Sequence, residues 1–402
     1  MMPPAPSDVT AATLTGDDLE QLRRHCDPLA DAAVAGYFAT IDGAEPMALF
    51  GQLAQHAALP PEQQVPAVEA FFAEAGRLPE WADRDRIERG QAFFNEWAAH
   101  HFTAMYLASL PTAYAAAKGV QVLNLTARLR TDTERRLNET AQFLMDISGP
   151  GAFEPGGVAI SRVLHIRLMH AAVRWLIEHD PVVTHVDDLA PPRRAPDGAA
   201  DPGLWSASWG RPANQEDLLG TMLTFTTVVY DVFDSSGVEY TDDQLEDHLY
   251  LWRVVATLLG IEPAIIPQDR TTAARIQTLI WDRQHAPSAA GVEMSDALLG
   301  QAEDRLPKLM WAFIPTAMRR FNGDAVCDMI GVPKANWTRI LFGPLADLTR
   351  IMTFGKRHNP ALRWVGARAG RVMINALLEV TRGGERPTFE IPTHLDRALG
   401  RG

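Results

Sequence analysis

The chain has 402 residues, 47% of them apolar, enough to bury a large core and to exclude disorder over most of its length. Lys and Arg number 37 against 50 Asp and Glu, and the net charge of −13 repels phosphate backbones, which argues against a nucleic-acid partner. The two cysteines, Cys26 and Cys327, lie far apart without Cys-x-x-Cys spacing, so a disulfide framework and a zinc ribbon both lack their residues.

Residues 1–14 are rich in Pro, Ala and Thr and carry no positive region ahead of an apolar core. They read as a disordered N-terminus without a secretory signal, and the expected location is cytoplasmic. From there helical periodicity dominates and strand alternation is scarce. Apolar positions recur at helical spacing over Asp17 to Ile41, Pro61 to Ala75, Asp85 to Leu107 and Thr131 to Ile147. The run from His100 to Ala117 has no formal charge but contains His, Ser, Thr and Pro111, and reads as a buried helix pair rather than a membrane span. Thr131 with Glu134 has capping-box spacing. Gly149 to Gly157 is a turn that leads into a helix over Ile160 to Glu178.

Next comes a stretch with six prolines, 179–212, which reads as a long surface excursion able to act as a lid. Helices then follow over Gln215 to Phe233, Asp242 to Leu259 and Thr271 to Asp282, with Asn214 and Thr241 placed as N-caps. Beyond Arg305 the pattern gives Leu306 to Phe321, Asp324 to Met329, Trp337 to Thr353 and Leu362 to Val380. Near Arg363 to Arg371 the small residues Gly366, Ala367 and Gly370 favour helix packing over an interfacial membrane helix. The expected organisation is one large all-α domain over 15–402, a helical bundle with extra helices and no membrane span.

The most informative stretch is the helix from Ile160 to Ile177. Steps of three and four residues put Arg167, His170 and Arg174 on one stripe, continued by Val163 and Ile177. Two permanent cations and burial together disfavour a third positive charge, so His170 should stay neutral with a lone pair for a metal. The arginines need anions. A haem supplies both complements: an iron for the imidazole, and two propionates that guanidinium forks match. The alternative is a hydrogen-bonded core histidine with arginines that reach ordinary carboxylates. Without Cys-x-x-Cys-His, a haem would be held by coordination and packing only. One helix earlier, Arg136 and Thr140 are one turn apart on a shared face, with Glu139 beside it.

These segments, in this order, resemble the latex clearing proteins, the rubber oxygenases, and the wider set of haem oxygenases that share their catalytic domain. The resemblance runs from about Arg24 to Pro263. Its markers are DPLADAAVAGYF, LPEWAD at Leu78 to Asp83, RLNETAQFLMDI at Arg136 to Ile147, RLMHAAVRWL at Arg167 to Leu176, QEDLLGTMLTF, and WRVVATLLGI at Trp252 to Ile261. It implies a b-type haem in an all-α fold with a globin-like core. His170 then matches the proximal iron ligand, Arg167 and Arg174 its flanking arginines, and Arg136 and Thr140 the distal pair beside which dioxygen, the co-substrate, would react.

Two departures bear on the reaction. Where rubber-cleaving members have a Lys before the distal Thr, this chain has Glu139, and the upstream catalytic Glu falls at Ala113 or Tyr114, neither able to act as a carboxylate. A polyisoprene substrate is therefore not implied, and Glu139 is the substitute base to examine, or else an exposed carboxylate paired with Arg135 or Arg136. The expected function is oxygenation of an apolar, unsaturated small molecule, by oxidative cleavage of a C=C bond. Met222, Leu223 and Phe225 are candidate pocket walls and Thr221 a polar contact. A non-catalytic haem-binding sensor or carrier is the rival, favoured by the missing Glu and Lys.

Overall fold

The computed structural model describes residues 9–40, 65–128, 133–179, 184–185, 204–345, 347–349 and 368. The Thr131 cap, residues 1–8, most of the 179–212 stretch and the helix read over Leu362 to Val380 lie outside these residues. The fold is all-α. Among the described residues the strands are two-residue pieces only, Thr184–His185 in parallel register with Leu204–Trp205.

Most periodic segments are helical, but three predicted helices are broken, each for a local reason. The segment over Asp17 to Ile41 divides into Gly16–Leu22 and Pro28–Thr40. Pro28 has no N–H to offer the preceding turn and disfavours helical geometry at Asp27. The segment over Asp85 to Leu107 stops at Trp97 (φ −112°, ψ 21°), resumes as Ala98–Ala104, and passes through a π-helical turn, Met105–Ser109, into Leu110–Ala115. The segment over Gln215 to Phe233 breaks at Thr226 (φ −120°, ψ −88°) into Gln215–Thr224 and Thr227–Ser236. The two N-caps fall where the sequence puts them. Asn214 accepts from the Asp217 N–H, and Thr241 forms a complete capping box with Gln244.

Two expectations about ordering are corrected. Residues 9–14, read as disordered, are pinned: Ala11 donates to the Ala264 carbonyl at 2.7 Å, and Arg275 reaches the carbonyls of Ala11, Ala12 and Leu14. The end of the proline-rich stretch is packed rather than surface-running. Trp205 and Trp209 are buried against Leu125 and Ile177, because two indoles bury more area than the prolines around them can keep in water.

The Asp242–Leu258 helix lies at the centre and packs most extensively on Arg84–Glu96. Gly90 makes that contact possible, since a Cβ there would sit 2.5 Å from the Asp247 carbonyl oxygen. Asp247 then accepts from Arg86 at 2.9 Å and Arg89 at 2.5 Å. The Ala159–His179 helix runs against Pro28–Thr40, Thr133–Ile147 and Asp242–Leu258. Its Val163 and Ile166 join Phe143 and Leu144 in the main core, while Leu164, Leu168 and Ala171 join Ala30, Val34 and Phe71 in a second one. With two sides committed to apolar packing, its polar stripe is confined to what remains.

An aromatic cage of Phe93, Phe94 and Phe233 encloses two histidines, His101 and His248, with ring centroids 5.0 Å apart. Burial pushes His248 down to about 3 and His101 well below its ordinary value, with the neighbouring imidazole adding to the second shift. Both are uncharged in the folded protein, whereas the unfolded chain takes up their protons below about pH 6.5. Stability is therefore complete above that pH and lost as pH falls toward the folded-state values. Between pH 6.5 and 5, His248 alone is expected to cost about 2 kcal/mol. Guanidinium unfolding at the two pH values checks this, and His248→Gln should flatten the dependence.

Candidate functional site

The guanidiniums of Arg167 and Arg174 are each engaged by a carboxylate at the start of the Pro28–Thr40 helix. Arg167 donates from Nε and Nη2 to the two oxygens of Asp27, at 2.5 and 2.9 Å. Asp27 is 4% exposed, so the fork is desolvated as well as bidentate. Gly260, at φ +85°, lets it close: a Cβ there would lie 2.4 Å from Asp27 Oδ2 and 2.7 Å from Arg167 Nε. Arg174 sets Nε 2.9 Å and Nη2 2.8 Å from Asp31 Oδ1, and donates from Nη1 to the carbonyls of Pro212 and Ala213. Ala213 is held at φ 49°, the left-handed region that a non-glycine residue rarely occupies.

Further pairs tie the same elements. Arg211 spans Glu178 and Asp31, and the Glu178 carboxylate raises its already high pKa. Arg23, fully buried, bonds Glu216 and Asp217 at 3.1 and 2.8 Å, and Arg283 closes on the second oxygen of Glu216. Gln215 donates to the carbonyls of Cys26 and Gly260. The Ala159–His179 helix is thus braced at both arginines by ionic contacts that fix its rotation.

His170 lies on that helix between the two braces. Its Nδ1 is buried and has no hydrogen-bond partner. Burial, with the Arg174 charge second and Asp27 opposing, pushes its pKa down to about 4, so the ring is uncharged at neutral pH. The neutrality that the sequence implies is present, and burial rather than the cations is its main cause. The arginines' anions, however, are Asp27 and Asp31 of the protein itself, so the ion pairs needed to bury the guanidiniums are complete before any cofactor carboxylate arrives.

The Arg136, Glu139 and Thr140 positions fall on the Thr133–Ile147 helix, which packs against the His170 helix. The Arg136 side chain is outside the described residues. Glu139 is 1% exposed, so it is not the solvated helix carboxylate of the alternative reading. Thr140 is partly buried. The candidate pocket walls are core instead. Met222 and Leu223 belong to the main cluster, Phe225 stacks on Trp252 with centroids 4.6 Å apart, and Thr221 is exposed and bonds the Asp217 carbonyl. An open groove of about 400 Å³ runs beside Ile160, Ser161 and Leu164 at the start of the His170 helix, rimmed by the Arg84–Glu154 pair. His170 does not line it.

Sequence reasoning missed Asp27, Asp31 and Gly260. A usable signal was present: two aspartates one turn apart at the head of an alanine-rich helix, matched by two arginines two turns apart.

An all-α architecture built around an ionically braced helix that carries the uncharged His170 defines the class of the fold, a helical protein. The chain belongs to the family of ER-bound oxygenase mpaB/B′ and rubber oxygenase catalytic domains, whose model matches residues 97–353. It is 26% identical over 275 residues to a rubber oxygenase of Streptomyces sp. (strain K30), a match that takes in 66% of this chain and 60% of that relative's length. A solved latex clearing protein in its closed state shares the fold, with a TM-score of 0.69, 23% identity, and 92% and 95% of the two chains covered. No helix among the described residues is long and apolar enough to cross a membrane.

Proposed function

We propose that the protein is a haem b-dependent oxygenase that uses dioxygen to cleave a C=C bond in an apolar, unsaturated small molecule. The observation that carries this is His170, an uncharged imidazole with an unpartnered buried nitrogen on a helix whose rotation is locked by Arg167 and Arg174. The proposal takes 15–402 as one catalytic unit with a globin-like core, working in the cytoplasm.

The residues present fit a haem through His170 as iron ligand, because an uncharged ring nitrogen buried without a hydrogen-bond partner marks an imidazole whose needs the polypeptide has left unmet. When bound, the haem supplies the redox chemistry that activates dioxygen. The chain's own part is positioning and proton handling. Arg167 and Arg174, committed to Asp27 and Asp31, act on the ligand through the helix they brace, as positioning residues. Arg136 and Thr140 supply polar groups on the neighbouring helix. Glu139, a buried carboxylate, accepts an allylic proton from the substrate carbon and returns it before the carbonyl products leave, so that no hydrogen is lost overall. Placing one oxygen atom on each alkene carbon gives two carbonyl products and balances without an added reductant.

The test is oxygen uptake by the ferrous, haem-loaded protein over a panel of unsaturated lipids, with products from labelled dioxygen read by mass spectrometry. Labelled carbonyl products are the expected result. A full Soret band with no uptake across the panel would favour the sensor or carrier instead. Glu139→Gln is expected to slow turnover by roughly 10²-fold or more while haem retention stays unchanged. Equal turnover removes Glu139 from the mechanism.

A further inference from the structure

The cage of Phe93, Phe94 and Phe233 holds more polar capacity than packing needs. Tyr230 is buried beside it, with its hydroxyl 2.9 Å from His248 Nδ1 and 3.4 Å from the Leu245 carbonyl oxygen. A phenol has one proton, and the shorter contact takes it, so His248 accepts at Nδ1 and carries its own proton at Nε2. His101 is the opposite tautomer, because its Nδ1 lies 3.2 Å from the Trp97 carbonyl oxygen and can only donate there. Each ring keeps a buried Nε2 without a partner, a donor on His248 and a lone pair on His101, with the ring centroids 5.0 Å apart. Two unmet nitrogens in one dry cage cost stability and call for a role.

The arrangement suits loss of an electron. Burial holds the Tyr230 phenol protonated, well above its ordinary range, and keeps His248 uncharged. An oxidised phenol is a strong acid, so its proton leaves with the electron, and His248 Nδ1 is the basic nitrogen it already bonds. We propose that Tyr230 and His248 form a proton-coupled redox site that takes up a one-electron oxidising equivalent from the oxygen-activating centre when no substrate consumes it. The Tyr230 O–H bond breaks, the electron passes to that oxidant, and the proton forms an N–H bond at His248 Nδ1. The resulting imidazolium faces no other cation in the cage, and the free lone pair of His101 offsets its charge. One electron from a soluble thiol reductant, with return of the proton, restores the phenol. His248 precedes Leu258, whose carbonyl oxygen is 3.4 Å from Arg167 Nη1, by about 15 Å along one helix. Trp252, 3% exposed, lies on that helix between them. The inference rests on the oxygenase class of the family and not on His170 as a ligand.

The full-length protein is oxidised by a flash-generated ruthenium(III) polypyridyl complex and read by transient absorption and electron paramagnetic resonance. The external oxidant makes the outcome independent of haem loading, so failure here leaves the His170 reading standing. A long-lived phenoxyl radical is expected, and Tyr230→Phe should lose it. His248→Phe keeps the cage aromatic and leaves the phenol its Leu245 contact, and should slow radical formation by at least about tenfold. Formation in the wild type should be slower in heavy water, a readout that holds even if a variant fails to fold. Absence of the radical overturns the proposal, as does the same signal in Tyr230→Phe, an unchanged rate in a folded His248→Phe, or equal rates in ordinary and heavy water.

Discussion

His170→Ala is expected to abolish stoichiometric haem retention while leaving the polypeptide folded. The ring is uncharged and its buried Nδ1 lacks a partner, so its removal breaks no protein hydrogen bond at that atom and leaves no charge stranded. The loss to the apo-protein is packing alone, about 1–2 kcal/mol for a partly buried ring. On the proposed assignment, the loss to the haem would be its coordinate bond. Reconstitution with haem followed by gel filtration should show a Soret band for wild type and almost none for the variant, with matching circular-dichroism spectra. An unchanged Soret intensity would remove His170 as the ligand, whatever the protein's activity.

Arg167→Ala has the opposite profile. On the sequence alone, this substitution should weaken haem affinity and spare the fold. With Asp27 only 4% exposed and bonded through both oxygens to Arg167, truncation strands a carboxylate in the interior. Removing one partner of such a pair costs about 3–5 kcal/mol. Arg167→Lys should recover only part of this, because an ammonium cannot reproduce the two-pronged contact beneath Gly260. Adding Asp27→Asn to Arg167→Ala should return some stability, and the non-additivity in a double-mutant cycle measures the coupling. Wild-type stability combined with lost haem affinity would restore the propionate role to Arg167.

These predictions divide along a line set by range. Arg167, His170 and Arg174 share a stripe because helical spacing is a local property, and the caps at Asn214 and Thr241 were readable for the same reason. The breaks at Trp97 and Thr226 were not. Nothing local to either position forbids helix, and the tertiary packing on both sides decides the turn. The Pro28 break was legible in principle, since proline restricts its neighbour wherever it stands.

What the sequence by itself determined is the helical class, the stripe and the expectation of an uncharged imidazole, all of which follow from residue type and a period of 3.6. Only the tertiary structure decided who answers the arginines. Asp27 and Asp31 lie about 140 residues upstream in the chain, and no periodicity encodes a contact across that separation. It also decided the state of Glu139, which helical spacing leaves at the margin of a polar face and which the packing of neighbouring helices buries to 1%. Burial belongs to the assembled surface around a side chain, so a pattern along one strand of sequence leaves it open.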